Sequence, residues 1–458
     1  MLQITRKQRS LQITLISFPV LRQKKGALVA MTEIKPFKAI VYNPKKICDF
    51  NQVVCPPYDV ISPQAQDMYR ERSCYNLIHV LLTKDTPGED KYKRAQEIFN
   101  EWLKDDLLIR DNSEAIYFYS QEYNINREKR TRLGFISLLR LPDNKESGVF
   151  GHENTHLEAK EDRFRLIKLI KANLSPVFVI FLDKKRIIQR IFQKYVPKQD
   201  ALIEVVDDEK TRHKLWRITD LELIKNIKQT MLNEDIFIAD GHHRYEVACA
   251  YRDLMRKNLG IISGEEDFNY ILSYFTNTDP RGLTILPIHR LLKLDRLFSL
   301  DELRLALSDK FDINEVKDKI RFFFLMQKAG FNEHLIGMYR DKRYWLLRLK
   351  NVKILDKLIA DRPKEYRCLD VSILNRLVFK EVLGLDPENL KNIVYSCEPS
   401  DFLKEVDGDP FKIAFFLNPV KMEQIISVAL NGNKMPPKST YFYPKVLSGL
   451  VINKFEKV

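Results

Sequence analysis

Residues 236–255, Ile-Phe-Ile-Ala-Asp-Gly-His-His-Arg-Tyr-Glu-Val-Ala-Cys-Ala-Tyr-Arg-Asp-Leu-Met, contain the change of hydrophobic period on which the fold turns. Ile236 to Ala239 form a short apolar run, whereas Val247, Ala248, Tyr251, Leu254 and Met255 recur at helical spacing, so a strand enters a helix across Asp240-Gly241. A helix dipole favours acids in the first turn, yet this first turn offers His242, His243 and Arg244. Three adjacent residues that break a local rule beside a glycine point to function: exposed N–H groups, with cationic side chains around them, hold a phosphate or carboxylate. The plainer alternative makes the histidines turn residues and Arg244 the ion-pair partner of Glu246 or Asp240. The stretch has neither the Lys-Ser/Thr ending of a P-loop nor the repeated glycines of a dinucleotide fold.

Working outward, 458 residues suffice for two or three domains, and 45% hydrophobic with 30% charged residues is globular composition. The six cysteines, Cys48, Cys55, Cys74, Cys249, Cys368 and Cys397, include no C-x-x-C pair, which argues against a disulfide framework or a cysteine zinc site and fits a reducing cytoplasm. No apolar run nears the roughly 18 residues that span a bilayer, so no membrane partner is expected. The net charge of +14 is spread through the chain and not gathered into a basic stripe, so a nucleic-acid partner is not expected either. Residues 1–30 are rich in Lys, Arg and Gln without an acid, and Met31-Thr-Glu-Ile-Lys-Pro-Phe reads as an ordinary protein start; residues 1–30 are expected to lie outside the core.

Ser62-Pro63 reads as a helix start, Leu77 to Leu82 as a strand, and Tyr92 to Leu103 as an amphipathic helix. Ala115–Tyr123 with Thr131–Leu141, and Leu202–Val206 with His213–Ile218, read as hairpins, and Val177 to Leu182 as a buried strand. Helices and strands do not alternate strictly, so the expected class is α+β with mixed sheets: residues 31–294 carry the Asp-Gly-His-His-Arg site, and 295–458 form a C-terminal α+β domain.

His152-Glu153-Asn154-Thr155-His156 matches the H-E-x-x-H zinc pattern, but Gly148 and Gly151 precede it where an apolar helix is needed, and no third ligand follows at the right spacing. The better reading is a polar loop at a helix start, in which Lys160 and Arg163 face an anion and Glu153 takes a proton from a hydroxyl. Six of the eight histidines, at 152, 156, 213, 242, 243 and 289, fall in this middle region. Lys438-Ser439-Thr440, stiffened by Pro436-Pro437, supplies a cation and two hydroxyls on a loop able to close over a phosphate.

With these residues in hand, the chain resembles the bacterial family catalogued as domain of unknown function 1015, from about Ile34 to Val451. The marks are Pro56-Pro57-Tyr58-Asp59-Val60, His152-Glu153-x-Thr155 with Asp162-Arg163, Asn173-x-Ser175-Pro176, Ala239-Asp240-Gly241-His242-His243-Arg244-Tyr245, Leu286-Pro287-Ile288-His289-Arg290, and Met435-Pro-Pro-Lys-Ser-Thr-Tyr-Phe-x-Pro-Lys. Ile288 stands where the family usually has Thr, and Arg281 intervenes where a Gly follows Pro280. The core motif is also similar to the Asp-Gly-His-x-Arg of archaeal ADP-dependent free serine kinases, of the ParB/sulfiredoxin-like nucleotide-binding fold. That likeness implies that His242 and Arg244 hold nucleotide phosphates, that Asp240 positions or activates the hydroxyl, and that an acid from earlier in the chain, Glu153 or Asp59, takes part.

The expected function is phosphoryl transfer between ADP or ATP, with Mg2+, and a small hydroxylated metabolite such as serine; no protein-held metal is expected. Positioning and charge neutralisation are most of what that reaction asks of a protein. Two other readings are a phosphatase acting on a phosphorylated metabolite such as phosphoserine, and a nucleotide-switched DNA-binding module, which requires a helix-turn-helix after the site. A corner packed shut, or an Arg244 tied to a neighbouring acid, would remove the basis of the enzyme reading.

Overall fold

A computed structural model of the protein describes residues 32–125, 127–143, 148–260, 263–329, 333–386 and 392–456. The expected extension at 1–30 and the start at Met31 lie outside these residues. The architecture is α+β. A nine-stranded mixed sheet is built from β1 (Ile34–Lys35), β2 (Ile116–Ile125), β3 (Glu128–Arg140), β4 (Val149–Phe150), β5 (Val177–Phe181), β6 (Ile203–Val206), β7 (Arg212–Ile218), β8 (Ile236–Asp240) and β9 (Tyr270–Asn277). Its order is β4-β8-β5-β9-β3-β2-β7-β6, with β1 added alongside β3. The pairs β4/β8 and β5/β9 are parallel and the rest antiparallel, which is the mixed sheet expected when hairpins and crossover helices share one layer.

Alternation along the strands sends side chains to two cores. Phe118, Phe135, Val179 and Ile238 face a cluster covered by α3 (Ile187–Tyr195) and α4 (Leu221–Met231), while Tyr117, Tyr119, Ile136 and Phe178 face the opposite core, covered by α1 (Lys91–Lys104). Gly134 sits at the crowded centre of the sheet: a Cβ there would lie 2.3 Å from the Phe275 carbonyl oxygen and 2.5 Å from the Tyr274 ring.

The hairpins expected at 115–141 and 202–218 are present. Ser62 caps the helix that begins at Pro63, its hydroxyl accepting from the Ala65 amide at 3.2 Å. The strand expected over Leu77 to Leu82 is instead a short helix, Ile78–Leu81, entered through Asn76, whose side-chain oxygen accepts from the Ile78 amide at 3.0 Å. Ile78, Val80 and Leu81 are all buried, so the apolar run carried no period that could separate the two.

A second, antiparallel sheet comprises β10 (His289–Lys293), β11 (Phe311–Val316), β12 (Leu335–Arg340), β13 (Arg343–Leu349), β14 (Ile393–Ser396) and β15 (Lys412–Phe416), in the order β11-β13-β12-β15-β10-β14. After it the chain returns to the first sheet. The Met435 amide donates to the His152 carbonyl at 2.7 Å, Tyr441–Tyr443 pairs with Thr284–Leu286, and Asn453–Lys454 pairs with Ala172–Asn173. Arg132 of β3, only 1% exposed, fastens this return through Gln121 and the carbonyls of Tyr443 and Pro444, with its guanidinium 4.5 Å from the Phe178 ring.

Gly134→Ala is expected to destabilise the protein by about 3 kcal/mol or more, because the new methyl meets backbone that cannot yield. Urea unfolding followed by circular dichroism measures it; a midpoint within error of wild type would contradict the packing described.

Candidate functional site

The strand-turn-helix is present as β8, Gly241 and α5 (His242–Leu259). Gly241 adopts φ +90°, a conformation that L-residues with a Cβ rarely take, and a Cβ there would meet the Arg244 guanidinium at 2.9 Å. The register of β8 against β5 slips between Ile238 and Asp240, so an extra residue bends the strand just before the carboxylate. No side chain caps the N-terminus of α5.

A second helix, α2 (Leu157–Ile170), packs beside α5 through Ile167, Val247 and Tyr251, joined by Phe268 and Phe455. The loops that enter the two helices are joined by their histidines. The His152 amide donates to His242 Nε2 at 3.2 Å and the His156 amide to His243 Nε2 at 3.0 Å. One turn further on, Glu246 accepts from Thr155 Oγ1 at 2.6 Å and from Lys160 Nζ at 3.2 Å. The His-Glu-x-x-His stretch is thus a loop, and its two imidazoles serve different partners. Among the described residues no group of three or more His, Cys, Asp or Glu is placed to hold a metal ion.

At the corner lies Asp240, whose side chain is 13% exposed. Arg244 Nη2 donates to its Oδ2 at 2.8 Å, and Lys445 Nζ, from the returning chain, donates to Oδ1. Burial opposes ionisation of this carboxyl, but Lys445 and then Arg244 outweigh it and hold Asp240 well below the usual carboxylate range. Glu153 is the reverse case. Burial, and next the charge of Asp240, push its carboxyl up to about 7, although 26% of the side chain still reaches solvent. Thr440 Oγ1 donates to Glu153 Oε1 at 3.2 Å, and His242 Nδ1 lies 3.5 Å from Oε2. Burial lowers His242 far below the ordinary histidine value and brings His152 down to about 3, so both imidazoles are neutral.

The structure therefore unites Asp240, Gly241, His242, His243, Glu153 and Thr440, and it adds Lys445, which sequence reasoning missed. The only available signal was its place at the end of the Met435-to-Lys445 motif. Other expected residues are engaged elsewhere. Arg244 is tied to Asp240 and to the Pro176 carbonyl, as the plainer alternative had it, with 11% of its side chain exposed. Arg163 is held by Asp162 and by the Leu81 carbonyl at 2.7 Å, its guanidinium 4.3 Å from the Tyr58 ring, and Lys160 turns to Glu246. The Ser439 hydroxyl donates to the Pro436 carbonyl at 2.6 Å. Asp59 and Lys438 line a cleft of about 1180 Å³ between the two sheets, together with Tyr441 and Tyr443. Lys445 Nζ sits 4.2 Å from the centre of the Tyr441 ring, which links the corner to that cleft.

A family model described as protein of unknown function (DUF1015) matches residues 34–372, and the chain belongs to that family. The stretch from Met435 to Lys445 lies beyond the matched residues. No curated protein matches the chain significantly. Among solved structures, a conserved hypothetical protein from Pyrococcus furiosus is 12% identical, with 68% of this chain and 91% of that one covered at a TM-score of 0.31. A point mutant of free serine kinase in complex with AMP is 11% identical, covering 65% and 88% at a TM-score of 0.33. C-terminally truncated SbnI from Staphylococcus aureus is 10% identical, covering 69% and 86% at a TM-score of 0.34. Likeness at this level carries no activity across.

Lys445→Met is expected to cost about 3 kcal/mol, since a buried carboxylate loses one of its two cations. The sign with pH follows from the depressed Asp240 carboxyl: its stabilisation is present above the unfolded value near 3.9 and is lost as pH falls towards the folded value. Acid unfolding of the Lys445→Met variant should therefore begin at higher pH than in wild type, and unchanged acid midpoints would refute the coupling.

Proposed function

We propose that the protein transfers a phosphoryl group between a nucleotide and a small hydroxylated metabolite, with Glu153 as the group that accepts the hydroxyl proton. The observation that carries this is one juxtaposition: a carboxyl raised to about 7, bonded to Thr440, beside the uncapped N-terminus of an 18-residue helix. A carboxylate near neutrality is matched to taking a proton at physiological pH, and free first-turn amides suit an oxyanion.

The sequence made a free Arg244 the condition for an enzyme, and the structure does not meet it. Arg244 is accordingly given no phosphate-binding role; it and Lys445 keep Asp240 ionised and fixed. The charge on a phosphate would instead meet the α5 amides and Lys438, which is exposed on the loop that also carries Thr440. The neighbouring cleft of about 1180 Å³, lined by Asp59, Lys438 and Tyr441 but not by Glu153 or the first turn of α5, exceeds the usual range for a single small ligand and offers room for a nucleotide beside the corner. Magnesium, when bound, would neutralise phosphate charge; among the described residues no group of three or more His, Cys, Asp or Glu is placed to hold it, so nucleotide oxygens and a single carboxylate such as Asp59 would be its ligands. A ParB/sulfiredoxin-like class of site and serine as acceptor belong to the same proposal.

The DNA-binding alternative finds no support after the site, where residues 270–293 form the strands Tyr270–Asn277, Thr284–Leu286 and His289–Lys293 in place of a helix-turn-helix. Hydrolysis of a phosphorylated metabolite would use the same corner and is separated by phosphate release without nucleotide.

The test is incubation of the purified protein with ADP or ATP, Mg2+ and a panel of hydroxylated metabolites including serine, with phosphorylated product read by mass spectrometry. A proton-accepting Glu153 must be ionised, so kcat/KM should rise tenfold per pH unit below about 7 and level off above it. Glu153→Gln should lower kcat by roughly a hundredfold or more and abolish that limb, while nucleotide binding persists. No turnover across the panel, or an unchanged pH profile in Glu153→Gln, would sink the proposal.

A further inference from the structure

The imidazole of His242, 4% exposed, faces a partner with each nitrogen. The His152 amide donates to Nε2 at 3.2 Å, and Nδ1 lies 3.5 Å from Glu153 Oε2. A backbone amide can only donate, so Nε2 carries no hydrogen and the single proton of a neutral imidazole sits on Nδ1. The ring is not free to turn over: His152 is 0% exposed, and a reversed imidazole would offer its buried amide a C–H in place of an acceptor. Nor is the ring charged, since burial, and next His152 and Lys434, keep it neutral. Packing holds its plane as well. The His152 ring stands edge-on, with 4.7 Å between centres and 89° between planes, and a Cβ on Gly151 would lie 3.2 Å from His242 Cδ2.

The result at Glu153 is a carboxyl approached by one neutral donor at each oxygen, Thr440 Oγ1 at Oε1 and His242 Nδ1 at Oε2. The second contact is at the outer limit for a hydrogen bond, so its effect is that of a dipole beside the charge. The two donors differ in one respect. Thr440 can turn its hydroxyl to accept, whereas the imidazole N–H can only donate, so a proton on Glu153 is accommodated at Oε1 while Oε2 stays bare. The charged groups facing Glu153 are Asp240 from β8 and Lys434, Lys438 and Lys445 from the returning chain. His242 adds no charge to them and acts on Glu153 through direction alone.

We infer that His242 is a positioning residue for Glu153, an Nδ1–H donor whose tautomer is set by the His152 amide, and not a ligand to phosphate, for which it has no second N–H. This role deepens the phosphoryl-transfer reading and rests on it in taking Glu153 as the reactive carboxyl.

Gln and Asn divide the two contacts of the imidazole between them. A Gln side chain reaches the Nε2 position and keeps an acceptor for the His152 amide; an Asn side chain reaches the Nδ1 position and keeps a donor for Glu153. The full chain, labelled with 15N-histidine and 13C-glutamate, is titrated by NMR, with His242→Gln and Glu153→Gln assigning the two signals and circular dichroism checking the fold of each variant. Two-bond 15N–1H correlations of the wild type are expected to show His242 neutral with its proton on Nδ1. The Glu153 midpoint should rise by about half a pH unit or more in His242→Gln, because the charged form loses a donor, and stay within about 0.2 unit of wild type in His242→Asn. In the turnover assay His242→Gln should lower kcat roughly tenfold with the nucleotide KM unchanged, and His242→Asn should restore most of it.

A proton on Nε2 in the wild type overturns the inference. So does a Glu153 midpoint indifferent to folded His242→Gln or moved equally by His242→Asn, and so does a raised nucleotide KM at unchanged kcat, which would make the residue a phosphate ligand. Should neither variant fold, the wild-type tautomer decides. The spectra need no turnover, so absence of phosphoryl transfer removes the proposed function and leaves this inference to be settled by the tautomer and the titration.

Discussion

A buried carboxylate shared by two cations organises this molecule. Asp240 takes one cation from four residues ahead, in the first turn of the helix that follows its strand, and the other from 205 residues away. Neither partner is optional, because a charge removed from water is tolerable only when it is paired and hydrogen-bonded on each side. The pairing has geometric results. It folds the Arg244 side chain back over Gly241, where only hydrogen fits, and it pins the returning chain against β8 at the bend before the helix. Thr440, five residues before Lys445, is thereby delivered to Glu153.

The same pairing resolves the puzzle of the first turn of α5. Three nominally basic residues at a helix N-terminus oppose the dipole only if they are charged. Burial keeps His242 neutral, and Arg244 is balanced by Asp240. The amides are left uncapped without cationic neighbours of their own, and the loop before α2 supplies backbone donors to both histidines. The two helix entrances form a single unit, which is why the His-Glu-x-x-His residues and the Asp-Gly-His-His-Arg residues meet.

What could be read in advance followed the range of the forces involved. The switch of period at Asp240-Gly241, the hairpins and the Ser62 cap are local, and they were legible. So was the membership of Glu153, His242, His243 and Thr440 in polar, turn-forming stretches. The destination of a long side chain was not. Arg163, Lys160 and Arg244 carry the same charge and look alike in sequence, yet each is engaged by an acid or carbonyl fixed by packing. The nearby acid at Asp240 was a hint for Arg244, since a one-glycine turn keeps the two close. For Lys445 no local rule applied, because its partner is remote along the chain. The short helix at Ile78–Leu81 escaped for another reason: its three apolar residues are all buried, and four residues are too few to reveal a face.

Because Lys445 reaches back 205 residues to Asp240 and Arg132 reaches forward 311 residues to Tyr443, the corner is assembled only once the stretch around residues 443–445 has been made. During synthesis β8 and α5 emerge long before the lysine that steadies Asp240, and until then the carboxylate has a single cation beside it. A chain stopped before residue 445 lacks the second cation of Asp240 and also Val446, Leu447, Leu450, Val451 and Ile452 of the main core, so the stretch that completes the corner is the same one that completes the packing beneath it.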